Sequence, residues 1–86
     1  MTTQETRSLA QLVAGFKQQA KQASGSFELS EAVTALSVQV QQEYEELYEP
    51  FRAGVADCLD GFWPQKKDFS YEAGYQVGAC VQKYSL

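Results

Sequence analysis

The apolar residues between Leu29 and Phe62 form one helical stripe, and that stripe constrains the chain more than any other feature. Leu29, Val33, Leu36, Val40, Tyr44, Leu47, Phe51, Val55, Cys58 and Phe62 are spaced 4, 3, 4, 4, 3, 4, 4, 3 and 4 residues apart. This is close to the period of an α-helix and incompatible with the two-residue period of a strand. The pattern recurs every eleven residues: Leu29, Val40, Phe51 and Phe62 make one row, Val33, Tyr44 and Val55 a second, and Leu36, Leu47 and Cys58 a third. Such an interval keeps the stripe on one side of a nearly straight helix. An unbroken helix over the segment would be about 50 Å long.

Pro50 conflicts with that reading. Inside a helix it removes the hydrogen bond to the carbonyl four residues back, that of Glu46, at a cost of about 3 kcal/mol. Two outcomes satisfy both signals: a kinked continuous helix, or a break near Tyr48-Glu49 with Pro50 as the first residue of a new helix. The stripe keeps its phase across the proline, which a free loop would not require.

The flanks read as shorter helices. Thr2 and Glu5 offer a capping box for a first helix over about 4–23, with Leu9, Leu12, Val13, Phe16 and Ala20 on its apolar face. Ser24-Gly25-Ser26 ends it, with Gly25 placed to adopt the left-handed conformation. Ser30 is the expected N-cap of the second helix, followed by Glu31. The segment from Gly61 to Asp68 is a loop: Gly61 stops one helix, Pro64 blocks its resumption, and Asp68 or Ser70 caps a last helix running to about Lys83. The expected fold is all-α, a single domain over 1–86. It is a three- to four-helix bundle with a long central helix kinked or broken at Pro50 and a C-terminal helical hairpin.

Within that hairpin, an aromatic-x-Ala-Gly repeat appears at Phe51-Arg52-Ala53-Gly54 and again at Tyr71-Glu72-Ala73-Gly74. Each copy has a second small residue four positions after its glycine, Cys58 and Gly78. Glycine costs a helix about 1 kcal/mol against alanine, so glycines at helical spacing imply close approach of two backbones. An antiparallel hairpin sets Gly54 opposite Gly78, making Gly54, Cys58, Gly74 and Gly78 the helix-packing residues. The same geometry holds Cys58 and Cys80 roughly 9 Å apart along the axis, too far for a disulfide. Both are expected to be reduced and buried.

Chemistry finds little to work with. The chain has no histidine, so neither a Glu-x-x-His metal site nor a histidine base is available. Two cysteines alone cannot complete a structural zinc site. No catalytic residue, metal or cofactor is expected, and the chain is read as no enzyme. A net charge of −4 disfavours nucleic acid and anionic lipid as partners. Neither a membrane span nor a signal peptide is evident, so the expected location is cytoplasmic.

What remains is a binding surface for protein. Tyr44, Tyr48, Phe62 and Trp63 are candidate anchors, and a spine with apolar stripe to spare would be covered by a homodimer. The expected function is thus a small protein-binding module: an adaptor, regulator or inhibitor. The alternative rests on Glu43, Glu45, Glu46 and Glu49, a concentrated negative strip. Such a strip could mimic nucleic acid and block a nucleic-acid-binding enzyme, as an anti-defence protein of a phage or mobile element would.

Overall fold

The computed structural model of the chain describes the backbone of residues 3–23 and 25–84, and the side chains of residues 9–23, 25 and 27–84. Four α-helices account for most of it: α1 (Thr3–Gln22), α2 (Ser26–Glu43), α3 (Glu45–Leu59) and α4 (Phe69–Tyr84). No strand occurs among the described residues. The capping box of Thr2 and Glu5 and the first residue of the Ser24-Gly25-Ser26 break lie outside the described residues.

The first helix buries the face its periodicity predicts. Leu9, Val13, Phe16 and Ala20 are buried and Leu12 packs against them, while Gln11, Lys17, Gln18, Lys21 and Gln22 are exposed. The second helix starts four residues before Ser30, which lies exposed within it. Its N-cap is Gly25, whose backbone is fully extended (φ 179°, ψ 178°) rather than left-handed, and whose carbonyl accepts from the Leu29 N–H at 3.2 Å.

The expected spine is broken, at Tyr44 and not at Pro50. Tyr44 leaves helical geometry (φ −135°, ψ 56°), its N–H closing α2 on the Val40 carbonyl at 2.8 Å. Its own carbonyl accepts from the Leu47 N–H at 2.8 Å to open α3. The third helix then runs through Pro50. Glu46, whose carbonyl loses its helical partner to the proline, is solvent-exposed, so water can replace the missing donor. A one-residue interruption preserves the phase of the stripe while dividing its length, and the molecule measures only 36 Å in its longest dimension.

The stripe is therefore covered by its own chain. Leu29, Leu36, Val40, Leu47, Phe51 and Cys58 are buried, Val33, Tyr44 and Val55 pack against the core half-buried, and Phe62 alone among the ten is exposed. The expectation of apolar stripe to spare, on which self-pairing was argued, does not hold.

The loop after α3 reverses the expected hairpin. Gly61 (φ 84°) ends α3 in a Schellman arrangement, its N–H bonding the Cys58 carbonyl at 3.1 Å and the Phe62 N–H bonding the Asp57 carbonyl at 2.9 Å. From there the chain runs back: the Phe62 carbonyl accepts from the Tyr75 hydroxyl at 2.6 Å, and the Gln65 N–H donates to the Tyr71 hydroxyl at 2.9 Å. Residues 60–68 can span about 30 Å when extended, enough to return past a helix of about 22 Å. So α4 sets off in the direction of α3.

Contacts along the pair rise together. Gly74 lies on Phe51, Gly54 on the turn from Tyr71 to Tyr75, and Gly78 on Val55 and Cys58. Near both C-terminal ends, the Gln82 side-chain amide donates to the Cys58 carbonyl at 2.9 Å. These helices are parallel, not the antiparallel pair that would place Gly54 opposite Gly78. The two copies of the repeat, twenty residues apart, pack reciprocally: the glycine of each rests on the carbonyl of the other's aromatic residue. Peptide backbones in such proximity leave no room for a β-carbon on either glycine.

Candidate protein-binding surface

Asp68 fixes the end of the loop. Its carboxylate accepts from the Ser70 N–H at 2.8 Å, the Tyr71 N–H at 3.2 Å and the Ser70 hydroxyl. This is an N-cap satisfying the orphan donors of the first turn of α4. Its carboxyl is held below the ordinary range, mainly by the Ser70 hydroxyl and further by the two N–H groups and Lys66, against the opposing effect of burial.

Two tyrosines fix the middle. Tyr71 is fully buried, and its hydroxyl donates to the Asp57 carboxylate at 2.5 Å while accepting from Gln65. Burial and then the Asp57 hydrogen bond push its pKa up, so it stays a donor at neutral pH. The Tyr75 hydroxyl is likewise pushed up, chiefly by burial, and holds the Phe62 carbonyl. The Gln65 side-chain amide closes back on the Trp63 carbonyl.

A segment pinned at this many points would ordinarily tuck its large apolar side chains inward. Here Trp63 is 85% exposed and Phe62 57% exposed, with Leu59 also in solvent and Phe69 at the margin of exposure. The loop backbone is ordered by the protein, while these aromatic side chains stand in solvent. Beside them lies a concavity of about 530 Å³ bounded by Pro64, Gln65, Lys66, Lys67, Glu72, Tyr75 and Gln76.

The other expected anchors lie elsewhere. Tyr44 and Tyr48 are half-buried against the core at the start of α3, roughly 20 Å along that helix from the aromatic loop. Glu43, Glu45, Glu46 and Glu49 are all exposed at the junction of α2 and α3. Glu45 and Glu46 occupy the first turn of α3, where carboxylates complement the helix dipole, and Glu49 pairs with Arg52 at 3.8 Å. Gly54, Cys58, Gly74 and Gly78 are buried in the α3–α4 contact, leaving no notch open to a second chain.

Cys58 and Cys80 are both free and buried. Burial raises both thiols, countered at Cys58 by a Tyr75 hydrogen bond and at Cys80 by Lys17, Lys83 and Lys21. Among the described residues, no group of three or more acidic, cysteine or histidine side chains could hold a metal ion, and no helix is long and apolar enough to cross a membrane.

One feature is invisible in sequence order: where the lysines gather. Lys17 and Lys21, one turn apart on α1, face Lys83 of α4 across a second concavity of about 480 Å³. Gln76 belongs to both concavities and to a third that also includes Lys17 and Glu72, so the concavity bounded by Lys66 and Lys67 adjoins this one. No protein-family model, curated protein or solved structure matches the chain.

Proposed function

We propose that the chain is a small non-enzymatic protein-binding module, an adaptor, regulator or inhibitor, whose anchor is the loop bearing Phe62 and Trp63. The observation that carries this reading is a tryptophan left 85% exposed on a backbone held by two tyrosine hydroxyls and an aspartate cap. Ordering the loop before an encounter lowers the entropy cost of binding. Tryptophan is the side chain most often found at the energetic centre of protein interfaces.

The test is affinity capture from the source cells with the native chain and with Trp63→Ala and Phe62→Ala as baits. A protein held by the native bait and lost from both variants, while a bait with Glu43, Glu45, Glu46 and Glu49 changed to Gln still retains it, supports the loop as anchor. Capture that is indifferent to Trp63→Ala but lost from the Gln bait would instead favour the acidic strip.

A further inference from the structure

We propose that the lysine-lined groove between α1 and α4 receives an acidic segment of a protein partner, one with carboxylates on either side of an apolar side chain. The proposal deepens the reading of the chain as a protein-binding module, but it does not depend on Trp63 being the anchor.

Five of the seven basic residues line two adjoining concavities, Lys17, Lys21 and Lys83 the groove and Lys66 and Lys67 its neighbour, in a chain whose net charge is −4. None of the five is in a salt bridge among the described residues. Glu43, Glu45, Glu46 and Glu49 stand at the α2–α3 junction, and on the lysine side stand Asp68, which Lys66 favours in its ionised form, and Glu72, which lines the first concavity. Around Lys17, Lys21 and Lys83 no acidic side chain among the described residues lines the groove. Like charges gathered as Lys17, Lys21 and Lys83 are, with no described carboxylate lining their groove, raise the energy of the free protein, and an incoming anion relieves it.

Side-chain contacts organise the two rims. The Lys17 ammonium donates to the Gln76 side-chain oxygen at 2.9 Å, tying α1 to α4, and the Lys83 ammonium lies 5.4 Å from the centre of the Tyr84 ring. Between them the lining is largely apolar, Ala14, Ala79 and Tyr84 beside Gln18 and Gln76, with buried Cys80 as its floor. All three ammonium groups bear on the Cys80 thiol at the floor, each favouring its anion against the push of burial. Positive rims over an apolar floor match an amphipathic acidic segment, whose apolar residue enters while its carboxylates meet the lysines. A long polyanion fits less well, because the net charge of the whole chain opposes it and Glu72 interrupts the face.

The experiment uses three fluorescent probes and the full-length chain: a short amphipathic peptide of Glu and Leu, the same peptide with Lys for Glu, and oligothymidylate. Anisotropy should show the acidic peptide binding wild type and Trp63→Ala alike. Affinity should fall about tenfold or more as salt is raised to about 0.3 M. The triple variant Lys17→Glu/Lys21→Glu/Lys83→Glu, checked for an unchanged melting curve, should lose at least tenfold in affinity. No binding, equal binding of the Lys peptide, or retention in the triple variant overturns the proposal, as does tighter binding of oligothymidylate. Salt-sensitive self-association abolished equally by the triple variant and by changing Glu43, Glu45, Glu46 and Glu49 to Gln also overturns it, since the occupant is then a second copy. If Trp63→Ala leaves partner capture unchanged, the loop reading fails by itself. The peptide result is independent of that outcome.

Discussion

Gly74 lies so close to Phe51 that a β-carbon on the glycine would overlap the Phe51 carbonyl oxygen and stand 2.8 Å from its carbonyl carbon. The obstruction is backbone, which cannot swing aside as a side-chain tip can. Gly74→Ala must therefore separate α3 from α4 and disturb Phe51, Val77 and the core between them. Overpacking of this kind costs about 1–3 kcal/mol or more, against a gain in helix propensity of about 1 kcal/mol. Because backbone cannot yield, the cost lies at the upper end of that range, and a net loss of about 2 kcal/mol is expected in urea unfolding. Unchanged or increased stability would mean that the two helices do not meet here.

Gly15 supplies the opposite case on α1. It is exposed, and a β-carbon there has nothing within 4 Å. The same substitution, Gly15→Ala, should raise stability by about 1 kcal/mol through helix propensity alone. Measured by urea unfolding beside Gly74→Ala, the two changes should differ in sign. A common sign would sink the packing account of the buried glycine.

Much of this fold is legible in the residues. The spacing of Leu9, Val13, Phe16 and Ala20, and of Leu29 through Cys58, identifies core positions that the structure buries or packs against the core, because amphipathic periodicity and burial have one physical cause. The break is less legible. Pro50 is the conspicuous helix-breaker, yet the chain bends at Tyr44, since a single non-helical residue there lets both halves of the stripe face one core. The direction of α4 is not legible either, because a loop from Gly61 to Asp68 is long enough both to turn the chain back as a hairpin and to return it along the helix. The repeat does not settle the direction, because the reciprocal glycine–aromatic contacts could form in either sense; it is the contacts of Gly78 with Val55 and Cys58, and of Gln82 with Cys58, that make the pair parallel. As for the surface, Trp63 stands out in sequence, but the lysine face does not: Lys17, Lys21 and Lys83 come together only when α1 and α4 pack.

Tyr71 links the floor of the core to the loop above it. Tyr71→Phe keeps the ring buried and removes a hydroxyl that donates to Asp57 and accepts from the Gln65 N–H. A backbone donor that loses its partner is protected only by local structure. Hydrogen exchange at the Gln65 amide should accelerate by about tenfold, with amides in the middle of α1 unchanged. Partner capture through Trp63 should weaken as well, because the loop is no longer ordered in advance. Exchange at Gln65 equal to wild type would show that the tyrosine does not hold the loop.

Asp68 makes the stability of α4 depend on pH, and the sign follows from its environment. The Ser70 hydroxyl and the N–H groups of Ser70 and Tyr71 all donate to the ionised carboxylate, so its folded-state pKa lies below the ordinary value of about 3.9. The unfolded chain therefore takes up the proton first. The stabilisation is complete above the ordinary carboxylate range, and it is lost as pH falls through that range to the lowered folded-state value. In Asp68→Asn the amide oxygen still accepts from the first turn but does not titrate. Other acidic groups are common to both proteins and cancel in the difference. Wild type should thus be the more stable at about pH 6, with its advantage shrinking or reversing by about pH 3. Urea unfolding of the pair at both pH values measures it, and a difference that stays constant would show that Asp68 does not titrate as the cap of α4.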